Sequence, residues 1–288
     1  MLNRKDLDHM KTLGYYNGVI DELDRMSVPM LDRACYFGDG VYDVTYSRNY
    51  HIFALDEHID HFFESASLIQ IQPHLSKAEL KEILISLVKK MDCGDLWVYF
   101  QLSRSADMRT HAFPASPKPN LWVMLKPAVI RDTYAPMRCI SMEDTRFQHC
   151  NVKSLNLLPN VLATQAATVA GMDECILHRG ETVTECAHSN LSILKNGKLI
   201  THPADQWIYA GTGRAHLISQ CFAQEIPVEE RTFTQSELWD ADEVLVTSAS
   251  ALCVPVIELD GKPIGGKAAH TVRALQDALL KEYLDATK

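Results

Sequence analysis

No run of about 18 consecutive apolar residues occurs in this 288-residue chain, so a membrane-spanning helix is not expected. Excess positive charge is also lacking: 28 Lys and Arg stand against 37 Asp and Glu, for a net charge of −9 and a pI of about 5.7. A surface of that sign repels phosphate backbones and anionic lipid, which argues against nucleic-acid or membrane partners and for small-molecule chemistry. The opening residues M-L-N-R-K-D-L-D-H-M contain no apolar signal region, and cytoplasmic residence is the expectation. Eight cysteines, at 35, 93, 139, 150, 175, 186, 221 and 253, include no C-x-x-C pair, so reduced and mostly buried thiols are expected instead of a disulfide framework. Twelve histidines form no H-E-x-x-H or similar ligand cluster, and no metal is expected. Repeats, coiled-coil heptads and low-complexity tracts are absent as well.

What is present is a hydrophobic content of 47%, enough to bury a sizeable core and to build two domains. Strands are expected over Gly40–Tyr46 and His51–Leu55, around a turn at Ser47-Arg48-Asn49. Asp56 is a candidate N-cap for a helix with Ile59, Phe62, Phe63, Ala66 and Ile69 on one face. Ser76 and Glu79 form a capping-box pattern before the stripe Leu80, Ile83, Leu84, Leu87. Two apolar strands follow, Leu96–Leu102 and Leu121–Leu125, separated by a polar stretch containing three prolines. A proline-bearing segment of mixed charge, 127–136, reads as a linker between a domain over 1–126 and another over 137–288. Beyond it, a helix is expected over Ser154–Ala170 and a strand over Cys175–His178. Asn196-Gly197 predicts a hairpin turn, Thr212–Ala223 a helix, Thr234-x-x-Glu237 a second capping box, and Val244–Thr247 a strand. A last helix carries Val272, Leu275 and Leu279 on one face.

The chemistry-bearing pair is Lys153, in N-V-K-S-L-N-L-L-P-N, and Glu185, in E-T-V-T-E-C-A-H-S-N, 32 positions apart (185 minus 153). A partly desolvated lysine amine can form a Schiff base with an aldehyde, and a carboxylate can keep a heterocyclic nitrogen protonated. By spacing alone such a pair reads as surface charge, the ordinary state of both residue types. Cys150 and Cys186 lie close by in sequence and read as packing residues.

These two motifs, together with Y-F-G-D-G-V-Y-D at 36–43, resemble in content and order the class IV aminotransferases, the fold-type IV pyridoxal-phosphate enzymes. The group includes D-amino-acid and branched-chain aminotransferases and aminodeoxychorismate lyase. The resemblance extends from about Leu31 to the C-terminus. It implies an α/β (α+β) fold with a small N-terminal α/β domain and a larger C-terminal domain around a β-barrel-like core. It further implies pyridoxal 5'-phosphate as cofactor, Lys153 as the Schiff-base lysine that later moves a proton, and Glu185 as the partner of the pyridine nitrogen. A homodimer with shared active sites is expected because the family builds its site between subunits.

The phosphate end departs from the family pattern. Gly211-Thr212-Gly213-Arg214 before an apolar run fits phosphate capture at a helix N-terminus, but Gly213 stands where a hydroxyl is usual. Ser248 matches a family serine, whereas Ala249 replaces a common threonine. His61, ending E-H-I-D-H, occupies the place of a phosphate-anchoring arginine; a free imidazole titrates near 6.5, so it carries charge only part of the time at neutral pH. The alternative for His61 is a solvated helix residue.

For the substrate, Arg109 and His111 in D-M-R-T-H-A-F-P resemble the R-x-H with which D-amino-acid aminotransferases grip the α-carboxylate, and Tyr42 would add a hydroxyl there. Arg33 and Arg104 are further cations without an assignable role. The expected activity is transamination between a D-amino acid and an α-keto acid such as 2-oxoglutarate or pyruvate. Branched-chain L-aminotransferase, an aminodeoxychorismate-type lyase and a binding protein that has lost catalysis stand as alternatives.

Overall fold

Residues 11–288 are described in the structure, a computed structural model, so the reading of the first ten residues lies outside them. The chain divides into two units: one runs to Ile130 and takes in Val152–Asn156 and Leu284–Lys288, and the other comprises Arg131–Asn151 and Leu157–Tyr283.

The first unit contains β1 (Leu13–Tyr16), β2 (Val19–Asp21), α1 (Arg33–Phe37), β3 (Gly40–Arg48), β4 (His51–Ile52), α2 (Leu55–Leu68), α3 (Lys77–Val88), β5 (Leu96–Ser103) and β6 (Asn120–Pro127). Its strands form one antiparallel sheet in the order β2-β1-β6-β5-β3-β4. Strand alternation divides the residues between its faces. Leu96, Val98, Phe100 and Leu102 of β5 enter a core with Ile59, Phe62, Leu80 and Leu84 from α2 and α3. Trp97 and Tyr99, one residue out of step, stay half-buried on the other face.

Ser76 and Glu79 close their capping box as expected. The helix expected from Asp56 begins at Leu55 instead. Ala54 turns the chain with a left-handed φ of 49° and serves as N-cap without a side-chain bond. That turn also cuts the strand expected over His51–Leu55 back to Ile52.

The second unit contains β7 (Met137–Glu143), α4 (Leu158–Val169), β8 (Glu174–Arg179), β9 (Thr182–Cys186), β10 (Asn190–Lys195), β11 (Lys198–Thr201), α5 (Thr212–Ala223), β12 (Val228–Glu230), β13 (Phe233–Thr234), α6 (Gln235–Asp240), β14 (Glu243–Thr247), β15 (Val254–Leu259), β16 (Lys262–Pro263) and most of α7 (Ala269–Ala286). The strands form a mixed ten-stranded sheet, β12-β11-β10-β14-β15-β7-β8-β9-β13, with β16 on β15. Strands β9 and β10 also touch, although they lie far apart in that order, so the sheet curls back on itself. All five residues of β14 are buried, as for a strand covered on both faces.

The Asn196-Gly197 turn has φ of 50° and 74° and joins β10 to β11 as expected. The helix expected from Ser154 starts only at Leu158. Ser154 is instead bridged to Val41, and the Leu155 amide donates to the Gly40 carbonyl at 3.1 Å, so Val152–Asn156 runs beside β3 in the first unit. Leu284–Lys288 counts with that unit too, where the Thr287 carbonyl accepts from Arg48 and Asn49 at 3.1 Å each. Among the described residues, no helix is long and apolar enough to cross a membrane.

Candidate active site

Lys153 is held by its own backbone. Its amide donates to Ser65 Oγ at 3.2 Å, and its carbonyl accepts from the Tyr42 amide at 2.9 Å. The side-chain Nζ lies 4.9 Å from the centroid of the Tyr42 ring. Tyr42 in turn stacks on Tyr99, with centroids 5.6 Å apart, and Tyr99 donates its hydroxyl to Gln101 at 2.6 Å.

One residue along β3, Asp43 points to the opposite, buried face, where His58 Nδ1 sits 2.8 Å from its Oδ1. Burial alone would raise the Asp43 carboxyl, but His58, Lys153 and the Val44 amide together hold it below the usual carboxylate range. A fixed negative charge therefore lies within electrostatic reach of Lys153.

Glu185, at the buried end of β9, is met on both oxygens. Arg146 Nη1 contacts Oε1, Asn190 Nδ2 donates to Oε2 at 2.8 Å, and the Tyr209 amide reaches both at 3.3 Å. Arg146 also bonds Asp144 through Nε and Nη2, at 2.9 Å each. Burial works against the Arg146 charge, yet Asp144 and Glu185 outweigh it and raise its pKa further; Asp144 is lowered despite its own burial. Asn190 extends the network by accepting from the Gly211 amide at 3.1 Å. The carboxylate is thereby tied to the turn before α5.

Helix α5 begins after Gly211, whose backbone offers no side-chain cap, and Thr212 is buried in its first turn. A Cβ placed on Gly213 would lie 3.1 Å from the backbone N and O of Ser248, so the first turn of α5 packs closely on that backbone. Ser248 Oγ lies 3.1 Å from Ser250 Oγ, and the half-buried Ala249 beside it contributes only a methyl group. A helix N-terminus and a nearby serine suit an anionic group, while the buried Glu185 carboxylate suits a protonated ring nitrogen. The buried Arg214 is bonded within the protein, to Glu230 at 2.7 Å, the His202 carbonyl and Thr201. His61 is half-buried on α2, in the first unit.

Arg109 and His111 lie exposed on the loop after β5, in the first unit with Lys153, Tyr42 and His61. Both stack near Phe37, the Arg109 guanidinium at 4.9 Å and the His111 ring at 5.1 Å from its centroid. Arg109 makes no ion pair or side-chain hydrogen bond among the described residues. Arg33 and Arg104, the two unassigned cations, are buried and converge on Asp39.

Arg146, Asn190, Asp43 and His58 were not singled out by sequence reasoning. Asn190 closes the T-V-T-E-x-x-x-S-N motif and was the most accessible of the four; Arg146 lies seven residues before Lys153 (153 minus 146) in no periodic pattern. The thiols are packing groups: burial pushes Cys150 up to about 11 and Cys186 well above its ordinary value.

Residues 40–259 match the family described as amino-transferase class IV. The D-alanine aminotransferase of Staphylococcus haemolyticus is 35% identical over 276 residues, covering 94% of this chain and 98% of its own. Among solved structures, the branched-chain aminotransferase of Thermoproteus uzoniensis superposes with a TM-score of 0.87 at 20% identity, covering 96% of both chains. A fold IV-transaminase of Curtobacterium pusillum gives 0.77 at 24% identity, covering 91% of this chain and 93% of its own. A curled mixed sheet in one unit and an antiparallel α/β sheet in the other make up the fold-type IV architecture expected from the motifs. With the family pattern spanning most of the chain and a relative matched nearly end to end, the chain belongs to the class IV aminotransferases.

Proposed function

We propose that the protein is a pyridoxal-phosphate-dependent transaminase moving an amino group from a D-amino acid, D-alanine foremost, to an α-keto acid such as 2-oxoglutarate or pyruvate. The observation that carries the substrate choice is the exposed Arg109 and His111 pair stacked on Phe37, joined by the likeness to a D-alanine aminotransferase. A guanidinium free of protein ion pairs among the described residues is poised for a substrate carboxylate. Tyr42 is assigned to the same carboxylate.

When bound, the cofactor supplies an aldehyde for amine exchange and a ring that draws electrons from the reacting carbon. Lys153 would provide the amine that holds the cofactor aldehyde, and its Nζ would hold and move the proton of the reacting carbon. Glu185, paired with Arg146 and bonded by Asn190, would face the ring nitrogen and favour its protonated form. The α5 amides, Thr212, Gly213 and Ser248 hold the phosphate, with Ala249 lining the same turn and His61 as a partial substitute for an arginine.

We further assign a homodimer, supported by α4, which exposes Leu158, Val161, Leu162 and Val169 along one stripe, a face that water disfavours. Cytoplasmic residence is supported by eight free cysteines. The domain division at 127–136 remains part of the proposal.

The test is a donor panel with 2-oxoglutarate and with pyruvate, read by keto-acid formation. Turnover of D-alanine well above L-alanine and L-leucine is expected. Turnover confined to L-branched donors would overturn the D-amino-acid assignment.

A further inference from the structure

The loop bearing Arg109 and His111 is exposed, yet it is fastened from behind by one short stretch of chain. Its base is stitched to the start of α1: the Arg33 amide donates to the Ser105 carbonyl at 2.9 Å, the Asp107 amide to the Leu31 carbonyl at 2.9 Å, and the Tyr36 hydroxyl to the Asp107 carbonyl at 2.5 Å. Its tip is held at the residue between the two candidate carboxylate ligands, where Arg33 Nη1 donates to the Thr110 carbonyl at 2.8 Å.

Arg33 is only 2% exposed and its direction is fixed by Asp39, whose Oδ2 accepts from Nε at 2.7 Å. Asp39 is fixed by a second buried guanidinium: Arg104 Nε reaches it at 2.9 Å, while the other Arg104 nitrogens donate to the Ile69 and Gln70 carbonyls at 2.8 and 3.0 Å. Four residues after Arg33, at the end of α1, Phe37 gathers the Arg33, Arg109 and His111 side chains around it, with the Tyr36 ring edge-on at 4.9 Å. The Arg33 and Arg109 guanidinium carbons lie 4.8 and 4.9 Å from its centroid, and the His111 ring lies at 5.1 Å.

We propose that Arg33 and Phe37 are positioning residues that preset Arg109 and His111 for the substrate carboxylate. The proposal rests on the assignment of Arg109 and His111 to that carboxylate. The physical reason is entropic: an arginine on a loose loop must lose rotamer and backbone freedom when it binds, whereas one already stacked on Phe37, with its backbone pinned at Thr110, has lost part of it beforehand. Phe37 and Arg33 touch no reacting atom in this scheme. Their effect should appear in substrate affinity and leave chemistry at the cofactor unchanged.

The test uses the holoenzyme with D-alanine and 2-oxoglutarate, and propionate as a carboxylate probe that competes without reacting. Phe37→Leu, which keeps an apolar side chain but removes the aromatic face, should raise KM for D-alanine and Ki for propionate about three- to tenfold, with kcat within about twofold. Phe37→Tyr should restore both constants. Arg33→Lys, which cannot bridge Asp39 and the Thr110 carbonyl with a fork, should act in the same direction. Added to Arg109→Ala, Phe37→Leu should worsen KM little further, since the side chain it positions is gone. If Arg109→Ala raises KM while Phe37→Leu leaves KM and Ki unchanged, or lowers kcat and thermal stability instead, the positioning role is overturned and the carboxylate assignment stands. If Arg109→Ala itself leaves KM unchanged, the assignment fails and the proposal fails with it.

Discussion

At Glu185 a carboxylate is buried and met on both oxygens by fixed donors, whereas at Arg109 a guanidinium lies exposed with an aromatic ring as its protein partner. The two ends of the proposed chemistry thus use different physics. The carboxylate proposed for the ring nitrogen is embedded in a network in which Asp144 and Arg146 stabilise each other's ionised forms. A group that must release product is left open to water, with its freedom reduced from behind. Losing a partner in the first network strands a buried charge; losing one in the second leaves a looser loop.

The most severe intervention bears on neither end. Lys153→Ala should cut transamination about a thousandfold or more and remove the absorbance band of the lysine–cofactor adduct seen before donor is added, while an unchanged band would remove Lys153 from the reaction. Next, Arg146→Ala breaks the buried side of the comparison. It leaves Asp144 and Glu185 without their shared counter-charge and should cost about 3–5 kcal/mol in urea unfolding, along with activity. On the open side, Arg109→Ala should raise KM for D-alanine about 10- to 100-fold with the unfolding midpoint unmoved. Equal stability losses in the two variants would dissolve the contrast.

Acid sharpens it further. Asp43 and Asp144 both titrate below the ordinary carboxylate value of 3.8 in the folded protein, so their contribution to stability is complete above that value and is lost as pH falls through their folded values. Urea midpoints should therefore hold steady down to about pH 5 and drop below about pH 4, with a shallower drop in Asp144→Asn. The smallest effect is expected from His61→Arg, which should tighten cofactor binding a few-fold and flatten its dependence between roughly pH 6 and 9. Titration of cofactor into the stripped protein measures this; identical affinities for His61 and Arg would assign His61 to helix packing.

Local signals in the sequence translated well into local structure. Ser76 with Glu79, Thr234 with Glu237, the Asn196-Gly197 turn and the span Thr212–Ala223 all depend on residues within a few positions of one another, and each formed as read. Elements set by distant partners did not read through. Strand β1 exists because it pairs with β6 more than a hundred residues later, and Ser154–Asn156 stays outside the helix the pattern suggested because β3 claims its backbone. Arg33 and Arg104 were indistinguishable from surface cations until Asp39 appeared between them.

The sequence by itself determined the family, and it pointed to the lysine and carboxylate proposed for its chemistry and to fewer donors at the proposed phosphate end. Those follow from residue identity in a short motif, and no distance is needed to see them. Only tertiary structure decided what holds each of these groups. Arg146 and Asn190 secure Glu185, Asp43 with His58 places a buried charge near Lys153, and Arg33 with Phe37 backs the Arg109 loop. Burial and long-range hydrogen bonding create these relations by bringing together residues that carry no shared pattern along the chain.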